Sequence, residues 1–209
     1  MGVVVARRIA KDVSVFKTFI KGILKVCDPD EVWISSGYYY RNFWYTNDKG
    51  TDTLTDLLKN RKVVLVGDPR ITKDIKNFKY GLQKAIGSGT VEIYVYEQAD
   101  SNFRANEIHF FKNNRDVAFI VGSSSCTKRD LDFYRTKNSN TDFDIQSDVV
   151  KFDSLYDADM MTYLDVELCD AKPDLISIDI LGIDRRLELQ DRNKDFRTFI
   201  TSSGLFNKA

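Results

Sequence analysis

The sequence is poor in histidine, cysteine and proline, and these shortages exclude several classes of protein. It holds one histidine, three cysteines and three prolines among 209 residues. Cys27, Cys126 and Cys169 form no CxxC pair. With a single histidine beside them, they predict neither a structural zinc site nor a disulfide framework. So few cysteines are typical of a reducing compartment, and we expect a cytoplasmic protein.

The sequence also lacks an excess of charge and a long apolar run. Lysine plus arginine and aspartate plus glutamate both total 31, so no global basic field indicates nucleic-acid binding, although a local basic face remains open. No apolar stretch approaches the roughly 18–20 residues of a membrane span. The first residues place a short apolar run ahead of arginines, the wrong order for a secretory signal. We therefore expect a soluble intracellular protein with no membrane contact.

Hydrophobic periodicity predicts alternating strands and helices. Apolar residues at helical spacing predict helices over 12–26, 52–60, 71–86 and 154–164. Continuous or alternating apolar runs predict strands over 31–36, 62–66, 90–96 and 143–150. Beyond Pro173, two more strands are predicted over 175–181 and 185–190. This order predicts an α/β fold over 1–172, with a mixed sheet flanked by helices, and a C-terminal β-containing extension over 173–209 for packing or self-association.

Residues 106–127, NEIHFFKNNRDVAFIVGSSSCT, predict a β-hairpin. The apolar runs Ile108–Phe111 and Val117–Val121 flank a polar segment with turn chemistry. Gly122 ends the second strand, and a hydroxyl-rich run follows it: Ser123, Ser124, Ser125 and Thr127. Those hydroxyls can hold an anion or cap the next helix. Both interpretations stay open at this stage.

Two further groups could contact a phosphate or a base. Tyr38 and Arg41 follow a predicted strand and a glycine, where an aromatic ring can stack on a base and a guanidinium can hold a phosphate. The tyrosines there can equally cover the end of the sheet. Lys128 and Arg129 follow the hairpin and supply positive charge, or they form a solvated helix face.

The order of these motifs resembles one half-domain of the phospholipase D superfamily, particularly its single-domain nuclease branch. The similarity covers Val13 to Val150 and is most specific over Val117–Thr127. The resemblance implies a homodimer in which two halves build one active site. It also implies metal-independent and cofactor-free chemistry, in which a histidine attacks phosphorus while a lysine and an asparagine hold the phosphoryl oxygens.

The family pattern is His-x-Lys on the first hairpin strand and Gly-Ser-x-Asn after the second. Gly122 and Ser123 match the second motif, and Ser125 stands at the asparagine place. A serine there can still donate a hydrogen bond to a phosphoryl oxygen. The resemblance therefore implies an anion site at the exit of the hairpin.

The first motif departs from the pattern. If His109 is the nucleophile, Phe111 occupies the lysine place and Lys112 lies one residue late, so a bulge must bring its ammonium round. An alignment through the turn instead puts Ala105 and Glu107 at the histidine and lysine places. A glutamate there would repel a phosphodiester.

Three functional hypotheses follow. The first is a phospholipase D-like domain with a degraded catalytic motif that binds nucleic acid or another phosphate-bearing ligand, or that serves as a component of a larger assembly. The second is an active dimeric, metal-independent phosphodiesterase or nuclease, and the third is a structural protein with an inherited fold. The predicted catalytic residues are His109, Lys112, Ser123 and Ser125. The predicted binding residues are Gly122, Ser124, Thr127, Lys128, Arg129, Tyr38 and Arg41.

Overall fold

The computed structural model describes residues 2–7, 15–39, 53–97, 106–122, 126, 147–168, 176–180 and 196–209. Its strands are β1 (Gly2–Arg7), β2 (Glu31–Ser35), β3 (Lys62–Gly67), β4 (Thr90–Tyr96), β5 (Glu107–Lys112), β6 (Arg115–Gly122), β7 (Ser147–Phe152), β8 (Ile176–Ile180) and β9 (Phe206–Lys208). Its helices are α1 (Val15–Val26), α2 (Leu54–Leu57), α3 (Thr72–Ala85), α4 (Asp157–Leu168) and a C-terminal helix over 196–202.

Within these ranges the strands form one mixed sheet in the order β8-β1-β7-β6-β5-β2-β3-β4-β9. Only the β2-β3 and β3-β4 pairs are parallel in this part of the chain, and the other six pairs are antiparallel. Parallel strands are covered on both faces, which explains the continuous apolar run of β3. The predicted α/β fold, a mixed sheet flanked by helices, is confirmed.

One face of the sheet carries the larger core, beneath α1 to α4. Alternate strand residues such as Ile34, Leu65 and Phe110 pack there against helix residues such as Phe19 and Phe78. The helical spacing of apolar side chains in α1 and α3 produces this contact, because those side chains form one stripe along each helix. We call this side of the sheet the α1 face.

The opposite side of the sheet carries a smaller core under the C-terminal helix. Trp33, Val66 and Phe111 point to this side and pack with Ile200 and Phe206. We call it the Trp33 face.

Sequence periodicity did not predict the C-terminal helix, β9 or β1. The C-terminal elements bring only scattered apolar residues to the sheet, so their positions depend on packing rather than on a local pattern.

Several predicted elements have different bounds in the structure. α2 covers only Leu54–Leu57 of the predicted 52–60. β7 includes Lys151 and Phe152, beyond the predicted end at 150. α4 begins three residues late, because Asp153 caps a 3-10 turn over Ser154–Tyr156 by accepting a hydrogen bond from the Leu155 amide at 3.1 Å. The predicted strand over 185–190 lies outside the described residues.

The described parts of residues 173–209 join the same sheet at both edges. β8 pairs with β1, and β9 pairs with β4. The division of the chain at residue 172 remains a prediction. No helix in the described part of the chain combines the length and the apolar composition that crossing a bilayer requires.

Candidate functional site

The predicted hairpin is formed by β5 and β6. Asn113 and Asn114 connect the strands with φ values of 52° and 60°. Two consecutive left-handed residues form the two-residue turn that matches the twist of paired strands, and asparagine tolerates that conformation. The Asn113 amide also donates to the Asp30 carboxylate at 2.8 Å. The turn is thereby fixed against the loop that precedes β2.

A bulge is present in this hairpin, but it does not bring Lys112 to His109. The register shifts between Phe110 and Phe111, and Val117 on β6 is the extra residue. Alternation along β5 is undisturbed, so His109 and Lys112 point to opposite sides of the sheet. The Lys112 ammonium instead donates to the carbonyl oxygen of Cys27 at 3.2 Å. The predicted pairing of these two side chains is therefore wrong.

His109 lies on the Trp33 face and has no exposed surface. Its ring stacks on Phe196 at a centroid distance of 4.1 Å and an angle of 13°, and on Phe119 at 5.9 Å. The His109 Nε2 lies 3.0 Å from a Glu107 carboxylate oxygen, to which it can donate. The imidazole cannot attack a phosphorus atom while the C-terminal helix covers it.

Arg197 completes the contact between the C-terminal helix and the Trp33 face. Its guanidinium lies 3.7 Å from the Phe111 ring centroid and 5.9 Å from that of Trp33. Its Nη2 is 3.5 Å from a Glu31 carboxylate oxygen, but Nη2 and Nε make no hydrogen bond within the described ranges. Cation–π contact and charge attraction therefore hold this side chain. No local sequence pattern indicates this role.

A cleft on the α1 face lies where β2, β5 and β6 meet. We call it the strand-end cleft, and Ser36, Asn106, Gly122 and Cys126 border it. Its interior has no room for a water molecule, and Ser36 and Cys126 are buried, so a ligand can contact it only at its mouth, where Asn106 and Gly122 are half-buried. The side chains of Phe16, Ile108 and Ile120 form its apolar lining. Gly122 thus lies at a cleft, at the end of β6. Its predicted role in binding stays a prediction.

Hydrogen bonds order most of this rim and leave one side-chain donor available. The Ser36 hydroxyl donates to the Tyr38 carbonyl at 2.7 Å and accepts from the Cys126 amide at 3.0 Å. The Asn106 side-chain oxygen accepts from the Gly37 amide at 3.3 Å. Its NH₂ group makes no hydrogen bond to any described residue. The cleft therefore presents an oriented amide donor, which the sequence analysis did not identify as a site residue.

The electrostatics of the strand-end cleft are mixed. Phe16 belongs to the first turn of α1, which holds no acidic residue and carries the positive end of the helix dipole. Lys17 follows and is almost fully buried. The buried Asp148, which pairs with Gly122 across the sheet, contributes negative charge, whereas the Glu107 carboxylate contacts His109 on the opposite face. An anion here would depend on directed amide donors rather than on a strong positive field.

Two adjacent tyrosines after β2 have different roles. Tyr39 is buried, packs on Phe78, and its hydroxyl lies 2.7 Å from the Ile34 carbonyl and 2.8 Å from the Val66 carbonyl. Burial raises the pKa of Tyr39 well above its ordinary value. Tyr38 is 67% exposed beside the cleft. Tyr39 therefore covers the sheet end, while Tyr38 offers a ring to solvent.

The other predicted site residues lie outside the described part of the chain. The described residues exclude Arg41, Ser123, Ser124, Ser125, Thr127, Lys128 and Arg129, so their roles remain predictions. Among the residues that are described, no group of three or more histidine, cysteine, aspartate or glutamate side chains could hold a metal ion.

No protein-family model matches the chain, and no curated protein matches it. Structure comparison finds distant similarity to solved proteins. NucT from Helicobacter pylori is 12% identical with a TM-score of 0.39, over 82% of this chain and 95% of that one. TrmBL2, an archaeal chromatin protein with a novel mode of DNA binding, is 12% identical with a TM-score of 0.36, over 79% of this chain and 52% of that one. Similarity at this level assigns no activity.

Proposed function

We propose that this chain is a phospholipase D-like domain that binds the phosphate backbone of nucleic acid at the strand-end cleft without hydrolysing it. The observation that carries the proposal is the burial of the sole histidine. His109 is sealed between Phe196 and Phe119 and is hydrogen-bonded to Glu107, on the face opposite the cleft. Metal-independent phosphodiester cleavage of the kind implied by the resemblance requires an accessible imidazole.

The position of Lys112 supports the same conclusion. A cationic clamp must lie near the charge that develops on the phosphoryl oxygens. The Lys112 ammonium lies near the turn of the hairpin, with the Cys27 carbonyl and, at 3.5 Å, the Asp28 carboxylate. It therefore cannot serve a phosphate at the strand-end cleft, which lies at the other end of β5. No observation favours the active phosphodiesterase.

Three features favour binding at the cleft. The NH₂ group of Asn106 can donate to a phosphate oxygen, and Gly122 adds no side chain at the rim. The positive end of the α1 dipole lies at the cleft and favours an anion by a few tenths of a kcal/mol to about 1 kcal/mol. The exposed ring of Tyr38 stands beside the cleft and can stack on a base.

Asn106→Asp tests the proposal with almost no change in shape. The aspartate can keep the hydrogen bond from Gly37 but replaces the NH₂ donor with a charged oxygen. At a separation of about 4 Å, repulsion between the aspartate and a phosphate costs about 1 kcal/mol in water and about 4 kcal/mol near a protein surface. We expect fluorescence anisotropy with a labelled DNA oligonucleotide to show at least about a fivefold weaker Kd. The matched control is Asn207→Asp on exposed β9, which should leave Kd unchanged.

A cleavage assay in EDTA decides between binding and catalysis. We expect intact oligonucleotide with wild type and with His109→Ala. Cleavage by wild type that disappears in His109→Ala would overturn the proposal. The homodimer implied by the family resemblance also remains a prediction, and sedimentation velocity measures it directly.

A further inference from the structure

α3 carries lysines that are not neutralised by acidic side chains. Lys73, Lys76 and Lys84 are exposed, and Lys79 is half-buried. Asp74 is the one acidic residue of the helix. No ion pair joins these four lysines to any described residue. Their positive charge is therefore available to a partner.

Seven of the other basic residues in the described chain are paired with carboxylates. Ion pairs with carboxylates engage Lys59, Arg61, Lys62, Arg70, Lys112, Arg197 and Lys208. The whole sequence has as many acidic as basic residues. The charge of α3 is thus a local feature in a neutral protein, of the kind that a local basic face requires.

The lysines and an exposed aromatic ring lie along the outer side of α3. Ile75, Phe78 and Leu82 are buried and define the inner side. At 100° per residue, Lys73, Tyr80 and Lys84 fall within about 40° of one another on the outer side, and span about 16 Å along the axis. Tyr80 is 64% exposed, and the Lys84 ammonium lies 4.2 Å from its ring centroid.

This outer side begins at the same sheet edge as the strand-end cleft. β2 and β3 are parallel neighbours, so the segments after them, Tyr38 and the turn Pro69–Ile71 that leads into α3, emerge at one edge. Arg70 is close enough to Tyr38 to be affected by it: the pKa of Arg70 is raised mainly by its hydrogen bond to Asp68 and, less strongly, by Tyr38. A strand leaving the cleft at Tyr38 would therefore meet α3.

We propose that the outer side of α3 is a track for single-stranded nucleic acid, in which Lys73, Lys76 and Lys84 contact phosphates and Tyr80 stacks on a base. This inference rests on the proposed function and extends it beyond the cleft. Alternating cations and exposed rings match a single strand, whose phosphates and unpaired bases are both accessible. An acidic protein surface would need the lysines but not the ring.

The salt dependence of binding tests the track. For single strands, each lysine–phosphate contact contributes about 0.7 to the slope of log K against log salt. Lys73→Gln with Lys76→Gln should therefore reduce the slope by about 1.4 in anisotropy titrations with a labelled single-stranded oligonucleotide. The control double variant is Lys59→Gln with Lys208→Gln, which removes the same charge from paired, exposed sites and should leave the slope unchanged.

Tyr80 provides an independent test of the track. Tyr80→Ala should weaken binding of the single strand about tenfold, because a base loses its stacking surface. Tyr80→Phe keeps the ring and should keep the wild-type affinity. An equal loss in both variants would overturn the assignment of a stacked base.

The outcomes separate this proposal from the proposed function. If Asn106→Asp weakens binding while the α3 double variant matches its control, the track is wrong and the cleft stands. If wild type binds no oligonucleotide at low salt, both fail. If the α3 double variant changes the sedimentation coefficient of the protein alone, the face is a contact between copies, to which the acidic α4 residues Asp159, Asp165 and Glu167 would fit. That result would also overturn the track.

Discussion

Replacing Phe196 should uncover the sole histidine. The Phe196 ring lies face to face with His109 at 4.1 Å and meets Trp33 edge-on at 6.4 Å. Truncating a fully buried phenylalanine costs about 3–5 kcal/mol. Phe196 is half-buried, so we expect Phe196→Ala to weaken attachment of the C-terminal helix by about 2 kcal/mol, of which the aromatic contacts supply about 0.5–1.5 kcal/mol.

Diethyl pyrocarbonate measures this uncovering, because it modifies accessible imidazoles and the chain has one histidine. If His109 reacts only when the C-terminal helix opens, its rate follows the population of the open form. A loss of about 2 kcal/mol raises that population, and hence the rate, by about 30-fold. Ultraviolet absorbance of the modified ring gives the rate without a correction for other histidines.

Phe199→Ala is the matched control on the same helix. Phe199 is 46% exposed, and its ring contacts Phe206 at 5.5 Å. This variant should leave the His109 rate within about threefold of wild type, which corresponds to about 0.6 kcal/mol. Two results would refute the reasoning: a wild-type rate equal to that of a free histidine derivative, or a Phe196→Ala rate equal to that of wild type.

Two further predictions concern stability. The hydrogen bond from Lys59 and the bonds with Thr53 lower the pKa of Asp56 to about 2, below its unfolded value of about 3.9. Stability from this group is therefore present above pH ~4 and lost as pH falls towards ~2, so urea midpoints of wild type and Asp56→Asn should converge over that interval. Gly89→Ala should lower the free energy of unfolding, measured in urea, by about 1–3 kcal/mol, because the added Cβ would overlap the Arg61 carbonyl oxygen. The control Gly37→Ala has open space around the added Cβ and should lower it by well below 1 kcal/mol.

The elements that the sequence predicted best are those with a strong local period. The predicted and observed bounds of β4 agree, because β-branched and aromatic residues mark it throughout. α3 follows its apolar stripe, and the hairpin follows its two apolar runs and asparagine turn. In each case the period and the turn chemistry are contained in the segment itself. Tertiary packing in these segments agrees with the local preference and does not override it.

The cover of the Trp33 face could not be predicted in this way. The run Val32–Ile34 is apolar on both sides, which indicates that each face of β2 is buried. Which segment supplies the second cover depends on contacts between residues far apart in sequence. Phe196 and Arg197 meet β2 and β5 over separations of more than eighty residues. The local sequence pattern does not indicate such a contact.

The site was predicted in part for the same reason. The alternation of β5 places Glu107, His109 and Phe111 on one face, and Gly122 ends β6 as predicted. The burial of His109 depends on Phe196, and the position of Lys112 depends on which strand carries the bulge. Neither is determined within the hairpin sequence. Asn106, which opens that segment, lies at the cleft only because β2 pairs with β5.

The alternation of β5 also separates His109 from the strand-end cleft. Ile108, Ile120 and Asn106 line the strand-end cleft on the α1 face, whereas His109 packs on the Trp33 face. A shift of one residue along a strand places a side chain on the opposite face of the sheet. Two side chains of this segment therefore reach the strand-end cleft: the amide of Asn106 and the aliphatic side chain of Ile108. An amide can donate a hydrogen bond to a phosphate but supplies neither a nucleophile nor a proton for the leaving group, which favours binding without cleavage.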